Sequence, residues 1–524
     1  MNYARSSDPL PGSSGTGSSS VPVSVTATSD VAGTQSLWRA FETTAVGHVF
    51  QTYDFVAAWV AHVAAARGIE PRIVIGRADD DRILFLLPLG VRRSLGLSVI
   101  EWLGAEHADY HGGLFDAACL QRLAGDKTAF DAFLDAVTGA IGGTDLLHFI
   151  RMPADLDGIR NPFLHLDTHP NANGAHATVL QPDWDTYYRA KRQSGWRRTE
   201  RKKDRELAAH GDVSLVVAET PEQVEQILSA LFRQKRQGLA KTGVADIFAP
   251  AGVRDFYRQL ALNSLGGRGP VQLSALYCGD AIAAVSYGLI RRDTYYYVLH
   301  SYDLDALAGY SPGSQLMRRL MQWCFDNDLR VFDFTIGDES YKDIWCETEL
   351  ALVNAEVPLT PLGSAAAGAI RIREGAKRKI KNEPALWAAA APYANCVRDT
   401  NGSATEPCHE SVGEPAQRLP VRQFEVTAGV ARRAVLLGDQ LHHPALEEVI
   451  LGVEERACHM LDRIGRPAGV PKELVRTVAD VLQVVRAPGG GKRHGQEGIL
   501  HRRQPVQIVA DKMGELRLIA ADMD

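Results

Sequence analysis

Residues 308–345 read AGYSPGSQLMRRLMQWCFDNDLRVFDFTIGDESYKDIW, and this stretch contains a loop, a helix, a strand and a polar segment in that order. Apolar residues recur on one face of the helix predicted over 315–327, and RVFDFT at 330–335 predicts a strand. The loop leads directly into the helix. Because the first N–H groups of a helix are unpaired and lie at the positive end of its macrodipole, this junction predicts an anion site.

The residues at the junction suit an anion. Pro312 fits just inside the helix start, where its missing N–H costs little, and Gly313 would let a phosphate approach the backbone. The predicted anion-binding residues are Ser311, Gly313, Ser314 and Gln315. A simple helix cap explains the same residues and stays open as the alternative.

Polar side chains cluster at the end of the following strand and in the loop after it. Within ten positions stand Asp333, Asp338, Glu339, Tyr341 and Lys342. Such a cluster supplies a candidate base, a phenol acid and a cation in one place. A solvated turn with an internal Asp–Lys pair is the alternative, and the neighbouring anion site favours a functional role.

The segments before this stretch predict the rest of the fold. Helices are predicted at 221–236 and 253–262, followed by strands at 272–278, 281–290 and 294–300. The first half of the chain repeats this order, with a helix at 50–63, strands at 71–77, 82–89 and 98–103, a helix at 131–141 and a strand at 146–150. The pattern predicts an α/β (α+β) protein of two related domains, each a mixed, mainly antiparallel sheet flanked by helices.

A strongly basic segment precedes the second half. Residues 189–205 (RAKRQSGWRRTERKKDR) hold nine Lys or Arg and two acidic residues, a net charge of +7. Trp196 and Leu207 are eleven apart and are predicted on one helical face. The functional interpretation is a basic groove for a polyanion such as CoA, a nucleotide-linked sugar or RNA, with Arg197, Arg198 and Arg201 in contact with it. The alternative is a solvated helix pinned by one aromatic ring.

Composition excludes several classes of protein. The 524 residues carry a net charge of −6, which excludes a polycation built throughout for nucleic acid. Seven Cys without a CxxC exclude a disulfide scaffold and a zinc ribbon, and they predict reduced thiols in the cytoplasm. No metal site and no membrane span are predicted, because metal-ligand spacing and an apolar run of 18 residues are both absent from the sequence.

The motifs together carry a family resemblance. They are the PGS loop, the DFxxGDExYK stretch, Leu87-Pro88-Leu89, Trp102-Leu103-Gly104 followed by Asp109-Tyr110, and the basic helix. Three antiparallel strands, a phosphate loop, a helix and a strand follow the order of the GNAT acyltransferase core. Residues 35–395 resemble the CelD-type, cellulose-biosynthesis-associated GNAT family, which is similar to the FemAB peptidoglycan aminoacyltransferases.

The resemblance implies two tandem GNAT-like domains. The predicted division is a disordered tail at 1–34, an N-terminal domain at 35–180, a C-terminal domain with the acyl-CoA site at 181–395, and a linker with an unassigned extension at 396–524. Residues 1–34 are expected to be disordered because they cannot bury enough apolar surface to offset their chain entropy.

The resemblance also implies a reaction. An acyl group, expected to be acetyl, passes from acyl-CoA to an amine or hydroxyl of a sugar, a polysaccharide precursor or a similar small acceptor. Gly313, Ser314 and Gln315 hold the pyrophosphate, Asp333 or Asp338 is the base, Tyr341 protonates the leaving thiolate and Lys342 binds the acceptor. Glu339 joins the basic-helix arginines as a substrate-binding residue, and polysaccharide-synthesis machinery is an expected partner.

Two alternatives stay open. The basic segment also suits an aminoacyl-tRNA-dependent transferase of the FemAB kind, the one case in which a nucleic acid is an expected partner. The phosphate loop departs from the ordinary GNAT pattern Q/R-x-x-G-x-G/A, because Ser and Pro stand within 308–313. That departure leaves a non-catalytic GNAT-like component of exopolysaccharide synthesis as the other alternative.

Overall fold

The computed structural model describes residues 24–382, except 95, 243–245, 338 and 340, together with 506–510 and 516–520. The chain divides into two compact units, 1–442 and 443–524. In the second unit, strands Val506–Ala510 and Leu516–Ala520 pair antiparallel. The rest of the extension expected at 396–524 lies outside the described residues.

The strands of the first unit, in chain order, are β1 Ser24–Thr28, β2 Ile69–Arg77, β3 Ile83–Ser94, β4 Leu97–Trp102, β5 Leu114–Phe115, β6 Leu146–Pro153, β7 Asp155–Leu156, β8 Ile159–Arg160, β9 Thr168–Pro170, β10 Ala175–Val179, β11 Val213–Val217, β12 Val271–Cys278, β13 Ala281–Arg291, β14 Thr294–Tyr302, β15 Val331–Ile336, β16 Thr348–Leu350 and β17 Leu352–Pro358. The predicted strands are all present, each extended or shifted by a few residues.

The helices of the first unit are α1 Gln35–Glu42, α2 Tyr53–Trp59, α3 Ala117–Gly125, α4 Lys127–Ile141, α5 Trp184–Lys191, α6 Ser194–Ala208, α7 Pro221–Thr242, α8 Val253–Ser264, α9 Pro312–Asp326, α10 Lys342–Trp345 and α11 Pro361–Asn382. The predicted helices correspond to α2, α4, α7, α8 and α9. The basic segment 189–205 is shared between α5 and α6.

Two mixed sheets form the first unit. One has the order β1-β2-β3-β4-β6-β17-β9, with β5 paired to β3, and the other has the order β11-β12-β13-β14-β15-β10-β16. Most neighbours are antiparallel, but β4 and β6 are parallel, and so are β14 and β15. This confirms the predicted α/β fold of two related, mainly antiparallel sheets with flanking helices.

The two sheets exchange strands. β10 belongs by position to the first half of the chain but pairs with β15 and β16 in the second sheet. β17 follows the second sheet but pairs with β6 and β9 in the first. Sheet membership therefore crosses the domain boundary expected between residues 180 and 181, and neither sheet is complete within one half of the chain.

The halves also share a hydrophobic core. One cluster joins α2, α7 and α8 to residues of both sheets, and Phe55 packs on Phe256 with ring centroids 5.3 Å apart. A second cluster lies under α3 and α4 on the first sheet, and a third lies under α9 on the second. Tyr296 of β14 belongs to the first cluster and Ile336 of β15 packs against it, so the β14–β15 pair packs against the first half of the chain.

One expectation from the sequence is wrong, and one alternative is not supported. Order begins inside the tail expected to be disordered, because β1 pairs with β2 and the partly buried Val25 and Ala27 pack on the first-sheet core. The alternative interpretation of the basic segment, a helix pinned to the core by the ring of Trp196, does not match the structure. Leu207 is buried, but Trp196 is 58% exposed.

Candidate functional site

The strands β14 and β15 pair only at their beginnings. Their parallel register runs from Thr294 opposite Val331 to Tyr296 opposite Asp333, after which the strands separate. Beyond that point β15 follows β10 on its other side, with a register shift between His176 and Ala177. Thr335 stands there in the left-handed region, at φ 57°. We infer from the end of this pairing that the two strands diverge as a V-shaped cleft with Asp333 at its vertex.

Asp333 is a buried carboxyl at the vertex, 5% exposed. Its Oδ1 accepts a hydrogen bond from the Tyr110 hydroxyl at 2.7 Å and from the Thr335 N–H at 2.7 Å. Burial raises the pKa of Asp333 to about 7, and the nearby Asp109 carboxyl adds to the rise. A carboxyl with this pKa can take up and release a proton at neutral pH.

The partners of Asp333 come from the first half of the chain. Asp109 and Tyr110 follow the Trp-Leu-Gly motif at the end of β4, and the Asp109 carboxyl lies close enough to Asp333 to raise its pKa. Burial raises the pKa of Asp109, and Arg151 opposes the rise, with Nη1 3.7 Å from Oδ1. Two carboxyls, a phenol and a guanidinium thus meet where the two halves join.

The side chain of Lys342 binds the backbone at the C-terminal end of β15. Its Nζ donates to the carbonyl oxygens of Thr335, Ile336 and Gly337 at 3.1–3.2 Å and pairs with Glu339 at 3.0 Å. The side chain is 2% exposed. These contacts favour a role in positioning the strand end, since its ammonium protons are directed at the backbone carbonyls and Glu339.

Two buried polar atoms in the cleft lack a hydrogen-bond partner among the described residues. They are Nδ1 of His300, on the diverging part of β14, and the hydroxyl of Tyr341, just before α10. The two rings lie 6.2 Å apart, centroid to centroid. Burial lowers the pKa of His300 to about 3 and raises that of Tyr341, so both are neutral at pH 7. Orphaned polar atoms of this kind are typical of a place that receives a ligand or ordered water.

The N-terminus of α9 lies beside the mouth of the cleft. Ser311 is the N-cap residue in the left-handed region, at φ 56°, and makes no side-chain cap hydrogen bond. A Cβ added to Gly313 would lie 3.0 Å from the ring of Tyr302, the last residue of β14. The side chain of Gln315 is engaged inside the protein, where Nε2 donates to the carbonyls of Lys203 and Tyr310. The backbone N–H groups of the first turn are therefore the donors this site offers an anion.

The corresponding place in the first sheet differs. Asp116 caps α3 by accepting from the N–H groups of Ala118 and Cys119, and Asp126 caps α4. The divergence of β4 from β6 is filled by aromatic rings: Trp102 packs on Phe149 at 4.8 Å and on Phe163 at 5.4 Å. These helix ends already carry carboxylates, so of the two sheets the second offers the open anion site.

The basic helix α6 runs beside the anion site. Lys203 donates to the carbonyl of Gly309 at 2.8 Å, and Asp204 pairs with Arg318 and Arg319 of α9. Arg198 and Arg201 are exposed, whereas Arg197 is half-buried with its Nε unpartnered among the described residues. The structure thus brings the basic segment next to the predicted anion loop.

The site residues expected from the sequence fall into three groups in space. Ser311, Gly313, Ser314 and Gln315 form the start of α9. Asp333, Glu339, Tyr341 and Lys342 line or support the cleft, and Asp338 lies outside the described residues. Arg197, Arg198 and Arg201 stand on α6.

Sequence reasoning missed several residues as site members. They are Asp109, Tyr110, Arg151 and His300. Asp109 and Tyr110 were visible as a motif, but nothing in the chain order indicates that they reach Asp333, which is 223 positions away from Tyr110. His300 carries no local signal, because it stands in an ordinary strand pattern.

Comparison with known proteins agrees with this geometry. Residues 194–343 match the model of the acetyltransferase (GNAT) domain family. This part of the chain is similar to GNAT acetyltransferase domains. The matched range includes every site residue expected from the sequence. No curated protein matches the sequence significantly.

Solved structures give more distant likenesses. FemX is 10% identical, with a TM-score of 0.43 over 60% of this chain and 95% of that one. L-PGS from Bacillus licheniformis is 12% identical, with a TM-score of 0.39 over 63% and 94%. A tandem GNAT protein from the clavulanic acid biosynthesis pathway is 12% identical, with a TM-score of 0.36 over 65% and 98%. At scores below 0.5 we draw nothing about function from these likenesses.

Neither a metal-ligand cluster nor a membrane-spanning helix occurs in the described part of the chain. No group of three or more His, Cys, Asp or Glu there is arranged to hold a metal ion. No helix among those residues is long and apolar enough to cross a membrane.

Proposed function

We propose that the protein transfers an acyl group from an acyl-CoA to an amine or hydroxyl, and that the donor binds at α9 and between β14 and β15. The observation that carries this proposal is the early end of the parallel β14–β15 pairing, at Tyr296 and Asp333, together with an α9 N-terminus that has no side-chain cap. The GNAT match over 194–343 supports it. The acetyl donor and the sugar or polysaccharide-precursor acceptor are part of the proposal and rest on the sequence resemblance.

The length of β14 between the anion site and Asp333 suits a coenzyme with a long arm. The diphosphate would lie on the N–H groups of Gly313 and Ser314, next to Tyr302. From Tyr302 back to Tyr296, β14 spans about 20 Å at ~3.3 Å per residue. An extended pantetheine arm is of this order of length, so its thioester end would lie near the vertex at Asp333.

Asp333 and Tyr341 would then transfer the protons of the reaction at the vertex. Asp333 keeps Oδ2 free of hydrogen bonds to the described residues, and its pKa of about 7 allows it to remove a proton from the acceptor nucleophile. Tyr341, held neutral by burial, can donate its phenol proton to the leaving thiolate. Lys342 holds the end of β15, so that both groups stay in place while donor and acceptor are brought together.

The acceptor would enter from the first half of the chain. Asp109, Tyr110 and Arg151 adjoin Asp333 there, and they present two kinds of charge and a phenol in one place. Such a set suits a polar, hydroxyl- or amine-bearing molecule. Glu339 is exposed at the other end of the cleft and remains a candidate for binding either substrate.

Replacing Ser311 with Asp tests the donor site. We expect the dissociation constant for CoA to rise at least tenfold, because the added carboxylate would mimic the Asp caps of the first half and repel the diphosphate. Calorimetric titration with CoA measures the effect. Ser311→Asn is the matched control, since Asn has nearly the same shape and also tolerates the left-handed conformation but carries no charge. Equal CoA affinity in the Asp variant and the wild type would contradict the assignment.

A second candidate is an aminoacyl-tRNA-dependent transferase, favoured by the exposed arginines of α6. Reversing the charge of Arg197, Arg198, Arg201 and Lys202 should then abolish tRNA binding, which a filter-binding assay at low salt measures. Reversal of Arg122, Lys127 and Arg160, on the first half, is the control. If the wild-type protein retains no tRNA at low salt, this candidate is eliminated.

A further inference from the structure

Trp196 is exposed in an unusual setting. It stands in the first turn of α6 at 58% exposure, and no part of the proposed mechanism uses it. Single exposed hydrophobic side chains are common on protein surfaces, so the contacts of the Trp196 ring and its position beside the anion site carry the inference.

The inner side of the Trp196 ring is held in place. The guanidinium carbon of Arg192 lies 5.7 Å from the Trp196 ring centroid and 4.7 Å from that of the buried Trp345. Arg192 is 8% exposed, and its Nη2 pairs with Glu200 at 2.9 Å. The cation is therefore fixed between two indoles, and it orients the outer ring as a platform.

The platform faces the same direction as the anion site. Trp196 and Lys203 are seven residues apart, so they lie on one face of α6, about 10 Å apart along its axis. Lys203 reaches the loop before α9, where it binds the carbonyl of Gly309. This separation is comparable to the span of a ribose diphosphate. Arg197 and Arg201 follow Trp196 within the next one and a half turns of α6 and add positive charge to this part of the helix.

We propose that Trp196 stacks on the adenine of the acyl-CoA whose diphosphate lies at the start of α9. This inference rests on the proposed function and adds a specificity-determining residue to the donor site. Arg192 strengthens the stack by holding the indole from behind, and the α6 arginines suit the phosphate on the adenosine ribose.

Three ligands separate the base contact from the rest of the coenzyme. They are CoA, adenosine 3′,5′-bisphosphate and 4′-phosphopantetheine, each titrated calorimetrically into the full-length protein. For Trp196→Ala we expect about tenfold weaker binding of the first two and unchanged binding of the third, because base–aromatic stacking contributes this much. Trp196→Phe should restore most of the affinity. Leu362→Ala, an exposed apolar side chain on α11, is the control.

The outcomes separate this inference from the proposed function. If the wild type binds CoA, and Trp196→Ala binds CoA and the bisphosphate equally well, the stacking role is wrong and the donor site stands. If Trp196→Ala loses affinity for phosphopantetheine as well, the ring supports the site's structure and the stacking role is again wrong. If the wild type binds none of the three ligands, both proposals fail.

Discussion

Replacing Asp333 with Asn is expected to lower kcat by about 10²–10⁴-fold, the usual contribution of a positioned general base. The amide oxygen of Asn can still accept the hydrogen bonds from Tyr110 and from the N–H of Thr335. The geometry of the vertex is thereby preserved while the proton acceptor is lost. Steady-state thioester cleavage with a saturating donor measures the effect.

The pH dependence of the same reaction gives a second signature. The base acts as a carboxylate, so with a pKa of about 7 the wild-type rate should rise with pH up to about 7 and level off above it. The Asn variant should lack this rise. Because burial raises the folded-state pKa of Asp333, its ionisation costs stability as pH rises from about 4 to about 7. The variant should thus be no less stable than the wild type at pH 8.

An exposed carboxylate provides the control for Asp333. Asp326, at the end of α9, is exposed, and Asp326→Asn should leave kcat and its pH profile unchanged. A kcat for Asp333→Asn within a few-fold of the wild type would rule out the role of Asp333 as the base.

The second large effect is expected for Lys342→Met. Removing the ammonium leaves the carbonyls of Thr335, Ile336 and Gly337 without this donor in a buried place, and a neutral chain of similar length cannot replace it. We expect a loss of about 3 kcal/mol in the free energy of unfolding, on the scale of several buried groups left unpaired. Urea denaturation measures it. Because the end of β15 loosens, kcat should fall as well.

Lys241→Met is the matched control for Lys342. Lys241 also donates to a backbone carbonyl, that of Leu304 at 3.3 Å, but it is exposed and water can take over the bond. Its loss should change stability by less than about 0.5 kcal/mol. If Lys342→Met unfolds at the urea concentration that unfolds the wild type, Lys342 does not hold the strand end.

Most of the longer helices and strands were predicted from the sequence, but the short elements and the pairing of the strands were not. Periodicity finds β10 and β17 at best as short strands, because hydrophobic alternation reports a buried face and says nothing about which sheet supplies the neighbour. The exchange of these strands depends on contacts between residues far apart in the chain, such as Ala175 with Ile336 and Val357 with Leu147.

The candidate site was predictable where it is local. The start of α9 and the stretch from Asp333 to Lys342 are continuous in the chain, so motif and chemistry could be combined there. The contact of Tyr110 with Asp333 joins the two halves and left no local signal. Lys342 was expected to bind an acceptor, whereas its ammonium group contacts the backbone carbonyls at the end of β15. Thr335 stands there with a left-handed backbone, which the sequence does not indicate because positive φ is uncommon for residues other than glycine.

A crystal structure of the protein with CoA tests the central claim most directly. We predict that the diphosphate lies on the N–H groups of Gly313 and Ser314 and that the pantetheine arm lies between β14 and β15, with its sulfur close to Asp333 and Tyr341. Binding of the diphosphate at α3 or α4 of the first half, or an arm that stays outside the β14–β15 cleft, would contradict it.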